Sequence, residues 1–221
     1  MNMSHISKDY LKYPTLSPLQ PGLSVSGLLP EEEFQMATTL FEAGSHTEAF
    51  AMFFRSAQRG YAPAQNNLSY CYLNGFGIEK DSQMGVIWYQ KAAELGYAPA
   101  QNNLGICYHN GIGVEQNPEM AAHWYRKAAE QGDAPAQNNL GLCYRNGFGV
   151  EKNSAMAVVW YRKAAEQGDA EAQYNLACCY HNGTGVKKDR KMAKHWFQKA
   201  ADQGHEKAQR ELKGLWTHFL L

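Results

Sequence analysis

The sequence has no excess of charge of either sign. Lys plus Arg and Asp plus Glu each number 21 among 221 residues, for a net charge of zero. Nucleic-acid binding through a basic surface rests on neutralising phosphates, so the expected partners exclude nucleic acid. The same balance argues against a polybasic membrane patch. No apolar run approaches the about 20 residues that a spanning helix needs, so no integral membrane segment is expected. The chain opens Met1-Asn2-Met3-Ser4-His5-Ile6-Ser7-Lys8, without a charged region leading into an apolar one. That is not the pattern of a cleaved secretory leader. Ser-x-x-Lys, Gly-x-Ser-x-Gly and His-Glu-x-x-His are all missing. The sequence therefore offers no motif for a serine nucleophile or a catalytic zinc, and the expectation is a protein without catalytic residues, metal or cofactor.

What is present is repetition. Hydrophobic residues make up 44% and charged residues 19%, a globular composition. Ala62-Pro63-Ala64-Gln65-Asn66-Asn67-Leu68 returns 36 residues on as Ala98 to Leu104, and again as Ala134 to Leu140. A fourth copy runs from Ala170 to Leu176. Each copy reads as two helices. In the first three a proline (Pro63, Pro99, Pro135) stands in the first turn of the first helix, where its missing N–H costs nothing. Ala64, Leu68 and Tyr72 have the i, i+4, i+8 spacing of one buried stripe. Asn74-Gly75-Phe76-Gly77 and its equivalents end the first helix. Asp81, Asn117, Asn153 and Asp189 are placed to cap the second, as Asp133 and Asp169 are for two of the first helices. The second helix carries its apolar set at Gly85, Trp88, Tyr89, Ala92 and Ala93, and ends at Gly96. A two-helix unit cannot bury its own apolar face, so stacking of copies is required.

The flanks depart from the period, as the ends of an array must. Residues 31–61 read as a divergent copy with a shorter inter-helix loop, followed by four copies at 62–97, 98–133, 134–169 and 170–205. Residues 206–221 hold a single capping helix, with Ala208, Leu212 and Trp216 repeating the buried stripe and an apolar tail packed after it. Residues 1–30 contain four of the eight prolines and are expected to be an unstructured or loosely strapped leader.

The pattern resembles the Sel1-like repeat, a relative of the tetratricopeptide repeat. One copy carries the resemblance on Ala98, Ala100, Leu104, Gly105, Tyr108, Gly111, Gly113, Val114, Ala121, Trp124, Tyr125, Lys127, Ala128, Ala129 and Gly132. The resemblance implies an all-α, right-handed superhelical solenoid of helix pairs. It also implies an adaptor or scaffold that binds a protein or an extended peptide in its concave groove. Two alternatives come with the family: a bacterial effector-type scaffold acting on host proteins, and a β-lactam-binding or hydrolysing protein like the cysteine-rich subgroup. That subgroup pairs a cysteine in each helix of a repeat, whereas this chain has none in any second helix.

Four ladders follow from the period. Cys71, Cys107, Cys143 and Cys179 occupy one position of the first helix. If first helices sit two helix diameters apart, about 20 Å, the ladder suits neither a disulfide nor a zinc site. Buried free thiols in a reducing, cytoplasmic compartment are expected, with export lacking a cleaved leader left open. Asn67, Asn103, Asn139 and Asn175 directly precede the core leucine, about 100° around the helix from it. By resemblance to tetratricopeptide proteins they would hold the main chain of a bound peptide, since an amide both donates and accepts; the alternative is a bond to a neighbouring helix. Positions that vary between copies are candidates for selectivity: Tyr70, His109, Arg145, Tyr174 and His181. The residue before the ladder, Asn66, Asn102 or Asn138, is a further candidate. Met84, Met120, Met156 and Met192 lie four before a tryptophan, which predicts sulfur–aromatic contact. Gly-x-Gly in each loop is assigned to helix termination. A monomer is the expected state.

Overall fold

The computed structural model describes residues 27–217, with side chains through Lys213. The leader expected over 1–30, apart from its last residues, lies outside the described residues. So do the side chain of Trp216 and the C-terminal tail. Among the described residues every regular element is an α-helix. The chain divides between Gln116 and Asn117 into two compact units. The first holds α1 (Pro30–Glu42), α2 (His46–Gln58), α3 (Ala62–Asn74), α4 (Ser82–Glu94) and α5 (Ala98–Asn110). The second holds α6 (Pro118–Glu130), α7 (Ala134–Asn146), α8 (Ser154–Glu166), α9 (Ala170–Asn182), α10 (Arg190–Asp202) and α11 (Glu206–Thr217). Within each unit every helix packs on the next, so each is a stack of helix pairs.

The helix boundaries follow from capping. Side-chain oxygens of Asp81, Asn117, Asn153 and Asp189 accept the backbone N–H of Met84, Met120, Met156 and Met192 at 2.9–3.0 Å. Asp133 and Asp169 do the same for α7 and α9 through Ala136 and Ala172. Such caps satisfy N–H groups that a helix leaves free at its start. At the far end of α3, Gly75 adopts φ 75° and donates to the Cys71 carbonyl, a conformation that side chains resist.

The core is made of aromatics fitted against small residues. In the first unit Phe34, Phe53, Leu68 and Trp88 pack with Ala37, Ala49, Ala57 and Ala64. In the second, Tyr161, Leu176, Trp196 and Phe197 pack with Ala157, Ala164, Ala172 and Ala200. α1 begins at Pro30, and the divergent copy is tied at its edge by polar bonds. Buried Glu33 accepts from Arg55 at 2.9 Å, and Arg59 donates to the Leu28 carbonyl.

Two expectations are corrected. Within each unit, successive first helices come within side-chain reach of each other. Asn103 Nδ2 donates to Asn66 Oδ1 at 3.0 Å, linking α5 to α3, and Asn175 donates to Asn138 at 3.0 Å, linking α9 to α7. The reason is that α4 packs on both α3 and α5, so the three form a triangle and not a row. The second glycine of each loop is also not merely a helix terminator. A Cβ on Gly77, Gly113, Gly149 or Gly185 would overlap a backbone carbonyl at the start of the preceding second helix: His46, Ser82, Pro118 and Ser154 respectively. Here one copy lays its loop directly on the backbone of the one before.

This contact separates two kinds of glycine. Gly113→Ala combines the clash with a positive φ of 67° and is expected to cost about 3 kcal/mol or more. Gly96 has φ 88° with nothing within 4 Å of an added Cβ, so Gly96→Ala should cost only about 1–2 kcal/mol. Thermal unfolding followed by circular dichroism compares them directly. Equal losses would show that the close approach does not hold the stack.

Candidate functional site

The first-helix face of the first unit carries Asn67, Tyr70, Asn103 and His109. Asn67 and Asn103 are buried, at 8% and 3% exposure. Asn67 Oδ1 accepts from Asn66 at 3.1 Å, and Asn103 spends its amide donor on Asn66. Tyr70 is half-buried in an aromatic cluster with Phe41 and Phe76, ring centroids 6.2 and 5.6 Å away. Burial raises its phenol pKa. His109 is half-buried, and burial lowers its pKa, which favours the neutral imidazole. A small cavity beside Asn103 is lined by Leu73, Tyr89, Ile106 and Cys107.

In the second unit the same face carries Asn139, Arg145, Tyr174, Asn175 and His181. Asn139 is half-buried, whereas Asn175 is buried. Asn175 donates to Asn138 and accepts from Arg145 Nη1 at 3.3 Å. Tyr174 stacks on His205, centroids 4.7 Å apart at 20°, and tilts against Phe197 at 5.7 Å. Burial, with Cys178 alongside, pushes its phenol up to about 12. His181 meets the edge of Phe197 at 6.4 Å. Arg145, Asn175, Tyr174 and Cys178 thus gather on one face, flanked by half-buried Leu142.

Of the two readings of the asparagine ladder, Asn103 and Asn175 make the bond to a neighbouring helix, each donating to the first helix before it. Asn66 and Asn138, read as groove candidates, are the buried acceptors of those bonds. The sequence did carry a signal for this. Asn66, Asn102 and Asn138 are identical in three copies, as a packing position would be and a selectivity position would not. A second amide ladder went unread: Gln65, Gln101, Gln137 and Gln173 each donate to a carbonyl at the end of the preceding second helix, at 3.0–3.1 Å.

The remaining ladders settle into the core. All five cysteines are free. Burial pushes the thiols of Cys71, Cys107 and Cys143 up to about 12 and that of Cys179 up to about 11. No cluster of three or more His, Cys, Asp or Glu suited to a metal occurs among the described residues. The four methionines are half-buried. Met84 and Met192 pack against the clusters that hold Trp88 and Trp196, and lysines also lie over the tryptophans: Lys91, Lys127, Lys163 and Lys199 are 4.0–5.0 Å from the rings of Trp88, Trp124, Trp160 and Trp196.

A Sel1 repeat model matches residues 62–97, 98–133, 134–169 and 170–205. A Sel1 repeat protein from Oxalobacter formigenes is 36% identical with a TM-score of 0.78, over 85% of this chain and 76% of that one. A protective antigen of uropathogenic Escherichia coli, displaying an SLR fold, is 35% identical with a TM-score of 0.79. That match covers 86% of this chain and 42% of the other, so the chain spans less than half the length of that protein. No curated protein matches the sequence.

The burial of the thiols has a direct readout. With a thiol reagent at pH 8, half-buried Cys178 should react before the other four. Cys71, Cys107 and Cys143 should react only on unfolding, because the thiolate is the nucleophile and burial suppresses it. Equal rates at all five would mean that the stack opens readily in solution.

Proposed function

The chain belongs to the Sel1 repeat family, an all-α solenoid class of protein-interaction modules, and from that premise we propose that it is a non-catalytic scaffold binding a protein or extended peptide on the first-helix face of its second unit. One observation carries this reading. Arg145 is a half-buried guanidinium whose hydrogen bonds run to two neutral amides, Asn146 and Asn175. No carboxylate forms an ion pair with it among the described residues. A guanidinium held in place by its neighbours, with donors to spare, suits a carboxylate or main-chain carbonyl from a partner. Leu142, Tyr174 and Cys178 beside it supply apolar and aromatic contact, the mixture that concentrates binding energy at interfaces. His181 and half-buried Asn139 complete the surface. On the first unit, Tyr70 and His109 are the corresponding selectivity positions.

The β-lactam alternative draws no support from the geometry, because the cysteines that would staple such a subgroup are single, buried and free. A reducing compartment suits five free thiols. Action as an effector-type scaffold on host proteins would use the same surface and differs only in where the protein is delivered.

The test is affinity capture with mass spectrometry, using wild type beside an Arg145→Ala/His181→Ala variant shown to be folded by circular dichroism. A partner captured by wild type should be lost by the variant, since truncating a central arginine commonly costs about 2 kcal/mol or more. Equal capture would move recognition off this face.

A further inference from the structure

The glutamine ladder is complete in the second unit and broken at Gln65 in the first. Gln137 donates to the Ala129 carbonyl, and its Oε1 accepts from Gln167 Nε2 at 2.8 Å. Gln173 donates to the Ala165 carbonyl, and its Oε1 accepts from Gln203 Nε2 at 2.8 Å. In both cases the donor stands 30 residues on, at the C-cap of the second helix. Gln65 makes the first of these bonds, to the Ala57 carbonyl at 3.1 Å. The residue 30 positions after it is Leu95, the C-cap of α4. Leucine has no hydrogen to give. Gln65 is 5% exposed, and its Oε1 is buried without a hydrogen-bond partner.

A buried, unmet carbonyl is rare and costly. Leu95 adds a second anomaly at the same place, since it is 61% exposed. Arg59, the C-cap of α2, keeps this edge charged on one side, whereas its N-caps lack a carboxylate. The N-caps of the first helices are Leu29, Tyr61 and Tyr97 in the first unit, where the second unit has Asp133 and Asp169. Leu29 is 59% exposed. The helix starts of α1, α3 and α5 and the helix ends of α2 and α4 share this edge, which is separate from the first-helix face.

We infer that this edge of the first unit is a docking site for a segment of another protein that presents a side-chain amide, from Gln or Asn, next to an apolar residue. The amide N–H would meet Gln65 Oε1 as Gln167 and Gln203 meet theirs, and the apolar residue would cover Leu95. The second unit supplies the argument for this occupant, because there the same acceptor is met twice by an amide. Leu95 is exposed at a helix end, where an apolar side chain of an incoming segment can reach it.

The test uses Leu95→Gln, which restores the missing donor from within. A displayed library of random seven-residue peptides is selected on wild type, and the selected peptides are measured by fluorescence anisotropy. The expected peptides pair Gln or Asn with an adjacent Leu, Ile or Phe. They should bind Leu95→Gln and Gln65→Leu at least about tenfold more weakly, yet bind Arg145→Ala like wild type. Leu95→Gln should also raise Tm by about 2–4 °C, the shift for roughly one hydrogen bond in a chain of this size. The inference is overturned if no peptide is enriched, if Leu95→Gln binds equally well, or if Tm does not rise. Wild type sedimenting as a dimer and Leu95→Gln as a monomer would also overturn it, by making a second copy the occupant. Loss of binding in Arg145→Ala alone would assign the peptides to the first-helix face.

Discussion

The backbone-on-backbone contact at the second loop glycine is the constraint on which the rest depends. A pair of 13-residue helices has too little interior to bury both faces of its own aromatics. Each copy must therefore lie against its predecessor at a distance set by main chain and not by adjustable side chains. Gly113 against Ser82 and Gly149 against Pro118 fix that distance. Once it is fixed, only alanine fits at Ala92, Ala93, Ala128 and Ala129, all at most 2% exposed. Tryptophan and tyrosine then fill what remains. The small residues are thus a consequence of the glycine contact, since close-packed interiors leave little slack for a different volume.

Close approach brings polar groups inside, and the amide ladders answer that. Helix ends expose carbonyls that find no partner within their own helix. The carbonyls of Ala57, Ala93, Ala129 and Ala165 accept from the backbone N–H of the glycine three residues on, and Gln65, Gln101, Gln137 and Gln173 each add a second bond from the next copy. The Asn103–Asn66 and Asn175–Asn138 bonds tie first helix to first helix in the same way. A hydrophobic surface would tolerate sliding by one turn. An amide pair does not, because a slip leaves a buried donor and a buried acceptor both unmet. The apolar core drives stacking, and the amides select its register.

Helices, caps and core positions were legible in the sequence because they depend on local spacing. Asp81, Asn117, Asn153 and Asp189 cap the second helices, and Ala64 and Leu68 of the expected stripe are fully buried, with Tyr72 half-buried at its end. Contacts between copies were not legible, because a period of 36 says what recurs and not what it touches. The spacing leaves Asn103 open both to holding a peptide and to bonding a neighbouring helix. With α3 and α5 in side-chain reach, the same residue becomes half of an internal pair. Gly113 likewise passes for a turn residue until the carbonyl of Ser82 is seen against it. In the candidate site, Arg145, Tyr174 and His181 were chosen because they vary. Their convergence with Cys178 and Asn175 came only with the fold.

That contrast points to where function resides in an array of near-identical copies. The glutamines and second loop glycines, identical in every copy, each meet the copy before, and their chemistry is used there. A position that departs from the repeat leaves its former partner with different company. Asn175 Oδ1 is met by Arg145, whereas in the first unit Leu73 holds the position that corresponds to Arg145. Asn103 Oδ1 is accordingly buried without a hydrogen-bond partner. Leu95 does the same to Gln65. Each departure converts an internal bond into an unmet group or a spare donor, and such groups are what a partner can satisfy. Gln65 Oε1 and Asn103 Oδ1 thus stand at breaks of the repeat, and the recurring ladders supply the frame that holds those breaks in place.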